Sequence, residues 1–235
     1  MDKTFFTNLA VWYVVFLFST TLHEASHALA SAWGGDDTAY RNGQVTLNPV
    51  PHIQREKTGM VLAPLASFFM YDGNWMIGWA SAPFNPYWAA RYPRRSFAMS
   101  LAGPLSHLFP LIVAWLGMYI GLRTGFFHLP SHQTDLFPVT MGDSGSLSWG
   151  LATILTVTFK LNAILLVFNL MPFPPLDGSE LWHLFIQTEE SRLNWRHSSN
   201  SYAFPGILLA WYLFPRVFHP VFQALIRGLY WGMEY

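Results

Sequence analysis

The chain has 235 residues, of which 52% are hydrophobic, 17% aromatic and 11% charged. Soluble domains carry about 25% charged residues, so this composition excludes an ordinary soluble domain; a mean hydropathy of +0.25 with 11 Trp and 10 Tyr fits several spans with interfacial aromatics. Zero net charge leaves no basic surface for nucleic acid, and the absence of cysteine excludes disulfides and thiolate metal ligands.

Residues 5–33 are apolar over more than the ~20 residues a crossing requires, and Gly34-Gly35 ends them. Lys3 alone makes a weak n-region and no A-x-A site precedes residue 23, so the segment reads as a retained helix. In Tyr40–Pro49, the Asn42-Gly43 pair and the alternating Val45 and Leu47 predict a short β-hairpin. Residues 59–70 are apolar but too short to cross alone, and Pro64 interrupts them. With the Trp-, Pro- and Gly-rich stretch 71–86 they predict a segment that dips in and returns. Arg91, Arg94 and Arg95 precede a clear span over 96–122, a polar loop covers 123–147, and a further span with Lys160 inside it covers 148–171. Pro172, Pro174 and Pro175 forbid regular helix in the next stretch. A shorter helix over 179–188, a charged loop with Glu189, Glu190, Arg192 and Arg196, and a last apolar stretch 203–226, interrupted by Pro215 and Pro220, complete the chain. The predicted fold is an all-α polytopic membrane protein. It is a helical bundle of about 4–6 transmembrane segments with a small β-hairpin and a re-entrant segment near the site. It forms one domain over 1–235, with a core of 5–188 and an additional C-terminal segment 203–226.

Inside the first apolar segment stand His23-Glu24-Ala25-Ser26-His27, an H-E-x-x-H pattern. On a helix, residues i and i+4 share a face, so both imidazoles can hold one metal ion, and Glu24 beside the first can take a proton from water. Ionisable groups in such a segment are costly in lipid and mark function. A satisfied core pair is the bland alternative. Catalytic zinc takes three protein ligands, and Asp177, just beyond the proline-broken end of the span 148–171, is the best candidate for the third. A proline-rich loop with a turn Asp-Gly is its alternative reading. Asn169, eight residues earlier, offers an amide that can donate to a carbonyl as charge develops on it.

With these motifs in hand, the chain resembles the site-2 protease family of intramembrane zinc metalloproteases, over about residues 18–185. His23–His27 matches its first motif and Asn169–Gly178 its N-x-x-P-x-P-x-L-D-G signature. Leu101-Ala102-Gly103-Pro104-Leu105-Ser106 is like its A-G-P stretch, and Gly43–Pro49 with His52-Ile53 is like the short members without a PDZ domain. Two positions depart from the family pattern: His107 stands where the family usually has Asn, and Gln54 where short members often have Asp. The resemblance implies that His23, His27 and Asp177 bind one zinc ion, that Glu24 is the general base, and that Asn169 contacts substrate. It implies a transmembrane protein substrate, cleaved in or near its span, and a multi-pass location in the lipid bilayer; the chain length and the lack of accessory domains point to a prokaryotic plasma membrane. The expected hairpin at 40–48 offers an edge that can pair with unwound substrate as an added strand. The competing functions are an inert relative that binds membrane proteins, for which intact Glu24 has no chemical use, and a metal transporter, which needs a polar path through the bilayer. His52 reads as a hydrogen-bonded loop histidine or an auxiliary ligand, His107 as a cavity or carbonyl-bonded residue, Lys160 as paired or snorkelling, and His183 as interfacial.

The motif positions also fix direction. His23 and His27 lie near the end of one span and Asp177 follows the end of another. They meet only if these two helices run the same way and the span between them runs oppositely, so segment 34–95 must begin and end on one side.

Overall fold

The computed structural model describes residues 3–130, 139–143 and 145–233; part of the polar loop read over 123–147 therefore lies outside the described residues. Helix α1 (Lys3–Gly34) is followed by two short helices, α2 (Thr38–Arg41) and α3 (Pro49–Arg55), and by a π turn, Thr58–Leu62, that runs into α4 (Ala63–Met70). Then come α5 (Pro86–Arg91), α6 (Pro93–Ser106), α7 (Leu108–Arg123) and α8 (Leu147–Asn169). A 3-10 helix, Asp177–Leu184, precedes α9 (Glu189–Ser199) and α10 (Ala203–Leu229). Among the described residues, three helical stretches are long and apolar enough to cross a membrane: Phe5–Gly34, Pro93–Arg123 and Leu147–Asn169. The described residues are predominantly helical, as expected, and show three candidate spans where about 4–6 were expected.

Side-chain contacts give the directions. Antiparallel packing of α1 and α6 follows from three levels: Arg95 Nη1 donates to Gly34 O at 3.1 Å, His27 Nδ1 lies 2.8 Å from Met99 O, and His23 Nδ1 lies 3.0 Å from His107 Nε2. By contrast α1 and α8 are parallel, with Trp12, Val15 and Phe16 packed on Val157 and Leu161, and Asn162 Nδ2 donating to Ser19 Oγ at 3.0 Å. α10 runs back along α8, pairing Trp211 with Phe168 and Phe222 with Phe159. Lipid offers no hydrophobic drive for helix association, so close packing through small residues decides it; on α6 the buried Ser96, Ser100 and Gly103 supply it. The break between α6 and α7 falls at His107, where Pro110 has no N–H to offer Ser106 and its ring crowds that carbonyl.

Segment 34–95 begins and ends at the same end of the bundle. Gly34 O accepts from both Trp88 Nε1 and Arg95, and the Asp36 carboxylate accepts the Asn85 N–H at 2.8 Å. Between them, the chain enters through α4, turns at Asp72-Gly73 against Phe5, and returns alongside itself, with Trp79 N–H on Gly59 O at 3.0 Å and Ile77 N–H on Ser67 Oγ at 2.8 Å.

The β-hairpin expected at 40–48 is not formed. The Asn42-Gly43 pair closes α2 instead: Gly43 takes φ 66°, its N–H reaches Tyr40 O at 2.9 Å, and the Gln44 N–H reaches Ala39 O at 3.0 Å, the two bonds of a Schellman stop. Thr46 and Asn48 side chains then cap the start of α3 through the N–H groups of Asn48 and Val50. With those groups satisfied locally, no strand pairs here, and strand addition to substrate has no strand in 40–48 to use. The described residues hold no sheet, only an isolated bridge between His128 and Met141. Residues 189–199, read as a charged loop, form α9. Pro215 and Pro220 lie inside a continuous α10.

In this cysteine-free chain, single cysteines at exposed Asp37 and Arg94 are expected to label from one side of sealed vesicles, and one at exposed Thr124 from the other. Labelling of 37 and 94 from opposite sides contradicts the fold-back of segment 34–95.

Candidate metal centre

His23 and His27 project from one face of α1, and the 3-10 helix brings Asp177 across to them. The Nε2 atoms of the two histidines are 2.9 Å apart, Asp177 Oδ2 is 3.1 Å from His23 Nε2, and Asp177 Oδ1 is 3.3 Å from His27 Nε2. All three ligand atoms lie within 4.8 Å of one another. Tetrahedral zinc with bonds of 2.0–2.2 Å would separate its ligand atoms by about 3.3–3.5 Å, so the set fits that ion with small adjustments. Chemistry agrees with spacing. Nδ1 of His27 faces a carbonyl, which only accepts, so that nitrogen carries the proton and Nε2 presents a bare lone pair to the centre.

Glu24 is 3% exposed, and its Oε2 has no hydrogen-bond partner among the described residues. A buried orphaned carboxylate oxygen beside two ligands is costly unless water or substrate meets it. His52 lies close enough to interact electrostatically with Glu24, but its Nε2 is 3.0 Å from Thr46 O, so it is hydrogen-bonded, though on α3 rather than in a loop. His107 is fully buried: its Nε2 lies against His23, and its Nδ1 is 2.8 Å from Oδ1 of Asn162, a side-chain carbonyl. The A-G-P stretch gains a physical reason: a Cβ on Gly103 would stand 2.2 Å from His27 Nε2 and 2.7 Å from His23 Nε2, so only glycine lets α6 pass this close. Lys160 is buried beside the Phe222 ring at 6.0 Å, away from the ligand set.

The loop that delivers Asp177 is anchored on both sides. Its carbonyl accepts from Ser100 Oγ at 3.0 Å. One 3-10 turn later, buried Glu180 accepts from Ser96 Oγ at 2.5 Å and from Arg196 Nη2 at 2.7 Å. Arg192 clasps the carbonyls of Ala90, His183, Ile186 and Gln187, which ties α9 to the same place. His183, read as interfacial, is buried here beside Glu180, and burial holds its imidazole below the ordinary histidine value. Asn169 stands apart: its amide donates to Leu165 O at 3.0 Å, and no hydrogen bond joins it to the ligand set among the described residues. Met99 O, Asn162, Ser96 and Glu180 escape the sequence reading. Asn162 alone carries a signal, as an amide in the middle of an apolar span.

Fold and site together define a helical protein of membrane character with a His₂-carboxylate cluster that could hold a metal ion and a buried carboxylate, Glu24, beside it. Residues 11–213 match the family described as Peptidase family M50, and the chain belongs to that family. It is 31% identical over 166 residues to a Bacillus subtilis (strain 168) protein titled "Putative zinc metalloprotease YwhC", over 70% of this chain and 64% of that protein. The chain thus spans 64% of the length of the curated relative it matches. No solved structure matches it.

Gly103→Ala is expected to lower turnover about 100-fold, because displacing a ligand by an ångström costs that much, while helix content in circular dichroism stays unchanged. Arg196→Leu leaves Glu180 buried without its cation and is expected to cost about 3 kcal/mol, read as a lowered thermal midpoint in detergent.

Proposed function

We propose that this chain is a zinc-dependent intramembrane endopeptidase that hydrolyses peptide bonds in or near the spans of membrane proteins, with one zinc ion per chain. The observation that carries this reading is the convergence of Asp177, from beyond the end of α8, on His23 and His27, beside the orphaned Oε2 of Glu24 on an α1 long and apolar enough to cross a membrane. Membership of Peptidase family M50 supports it.

His23, His27 and Asp177 would hold the ion, which when bound supplies a Lewis acid for the carbonyl and acidifies water towards a pKa of about 7. Glu24 accepts the proton of the attacking water and delivers it to the leaving amine; its burial keeps competing bulk water away from that transfer. Asn169 has two amide protons and spends one on Leu165 O, so the second can donate to the substrate carbonyl as it gains charge. A helical substrate hides its scissile carbonyl in an i→i−4 bond, so local unwinding comes first. By the positive-inside rule, Arg91, Arg94 and Arg95 around the start of α6 support a cytoplasmic side for that end, and a prokaryotic plasma membrane is part of the same proposal. An inert binding relative and a transporter share the ligands but have no use for the base.

Glu24→Gln is expected to retain one zinc per chain and to lose turnover by about 10²–10⁴-fold on a single-span substrate in detergent. His23→Ala is expected to lose both zinc and activity. Equal zinc loss in the two variants makes Glu24 a ligand and overturns its role as base; full activity in Glu24→Gln overturns the protease mechanism.

A further inference from the structure

We infer that His107, through Asn162, is a positioning residue that sets the tautomer and ring orientation of His23. This rests on the metal-site reading above. The chain of hydrogen bonds runs inward from a backbone carbonyl, and each proton along it is forced. Asn162 lies 2.8 Å through Nδ2 from Thr158 O, and a carbonyl only accepts, so that end of the amide is the nitrogen. The same nitrogen gives its second proton to Ser19 Oγ at 3.0 Å. Asn162 Oδ1 therefore faces His107, and accepts from its Nδ1–H at 2.8 Å. In a neutral imidazole the other nitrogen is then bare, so His107 Nε2 is an acceptor. It can only accept from His23 Nδ1–H, 3.0 Å away. That puts the one remaining lone pair of His23 on Nε2, pointing at His27 and Asp177.

Both imidazoles of the pair are thus polarised from behind, by different devices. His27 gives its Nδ1 proton to Met99 O, a main-chain group that sequence cannot alter. His23 instead gives its proton to a side chain, His107 in the break between α6 and α7, held in turn by Asn162 on α8, whose amide is fixed by Ser19 on α1 and by Thr158 O. His107 and Asn162 are both completely buried, so water does not replace either one if it is lost. The ring is also close-packed, with its centroid 5.0 Å from that of His23. Partners of this kind behind a metal-bound histidine are worth about 10- to 100-fold in metal affinity.

The test compares His107→Leu, which removes the acceptor, with His107→Gln, whose amide can accept from His23 and donate to Asn162. Zinc affinity is measured on the full chain in detergent by chelator competition, with circular dichroism as the check on folding. His107→Leu is expected to bind zinc about 10- to 100-fold more weakly, with His107→Gln recovering most of the loss. Asn162→Leu, which frees His107 from its fixed tautomer, is expected to weaken zinc as well and not to add to His107→Leu; it carries the test if His107→Leu does not fold. Wild-type affinity in folded His107→Leu, or equal weakness in His107→Leu and His107→Gln, overturns the inference while leaving the zinc site standing. Absence of zinc from the unsubstituted protein and from Glu24→Gln overturns the metal-site reading itself.

Discussion

The meeting of one carboxylate with two imidazoles sets most of this architecture. Asp177 comes from beyond the end of α8, and His23 and His27 lie towards the end of α1; they meet because the two helices run in the same direction. Parallel helices need a return path, and α6–α7 is that path, packed antiparallel between the functional ends. Segment 34–95 must then come back to the end it left, which it does by folding on itself through α4 and the turn at Gly73. The short elements serve the same meeting: α5 and α9 grip the loop around Glu180 and Arg192, so the 3-10 helix holds Asp177 at a fixed height.

Burying this set has an energetic consequence. Two imidazoles and two carboxylates in a low-dielectric interior are tolerable only if their lone pairs and protons are matched. Met99 O, His107 and Asn162 take up the outward-facing ring protons, and Ser100 takes up the carbonyl of Asp177. Within this set, the atoms left facing one another at the centre are the Nε2 pair, and Glu24 Oε2 beside them has no partner among the described residues. A site whose outer shell is satisfied and whose inner atoms are not is built to receive an ion and a polar reactant.

Much of this was legible in the sequence, for definite reasons. A four-residue spacing is a helix face, and a triple-proline stretch after a span can only be irregular, so His23, His27 and Asp177 stand out without a structure. The parity of the helices followed from those same positions. What was illegible depends on tertiary contact. Asn42-Gly43 suits a hairpin turn and a helix stop equally, and only the short helix before it decides the matter. Residues 189–199 have no apolar stripe, and α9 exists because Arg192 and Arg196 find buried carbonyls and a carboxylate elsewhere. The break at His107 is hinted at by Pro110, but which histidine it would turn towards is not.

The most direct measurement exploits the absence of cysteine from the chain. In Asp177→Cys, loaded with zinc, X-ray absorption at the zinc edge reports any sulfur in the coordination shell, because every other sulfur in the protein is a methionine thioether. The account predicts a sulfur at about 2.3 Å alongside imidazole nitrogens at about 2.0–2.1 Å, with the sulfur absent from the spectrum of the unsubstituted protein. Bound zinc with imidazole ligands but no sulfur in Asp177→Cys would contradict the assignment of the third ligand, and with it the geometry on which the fold is argued to turn.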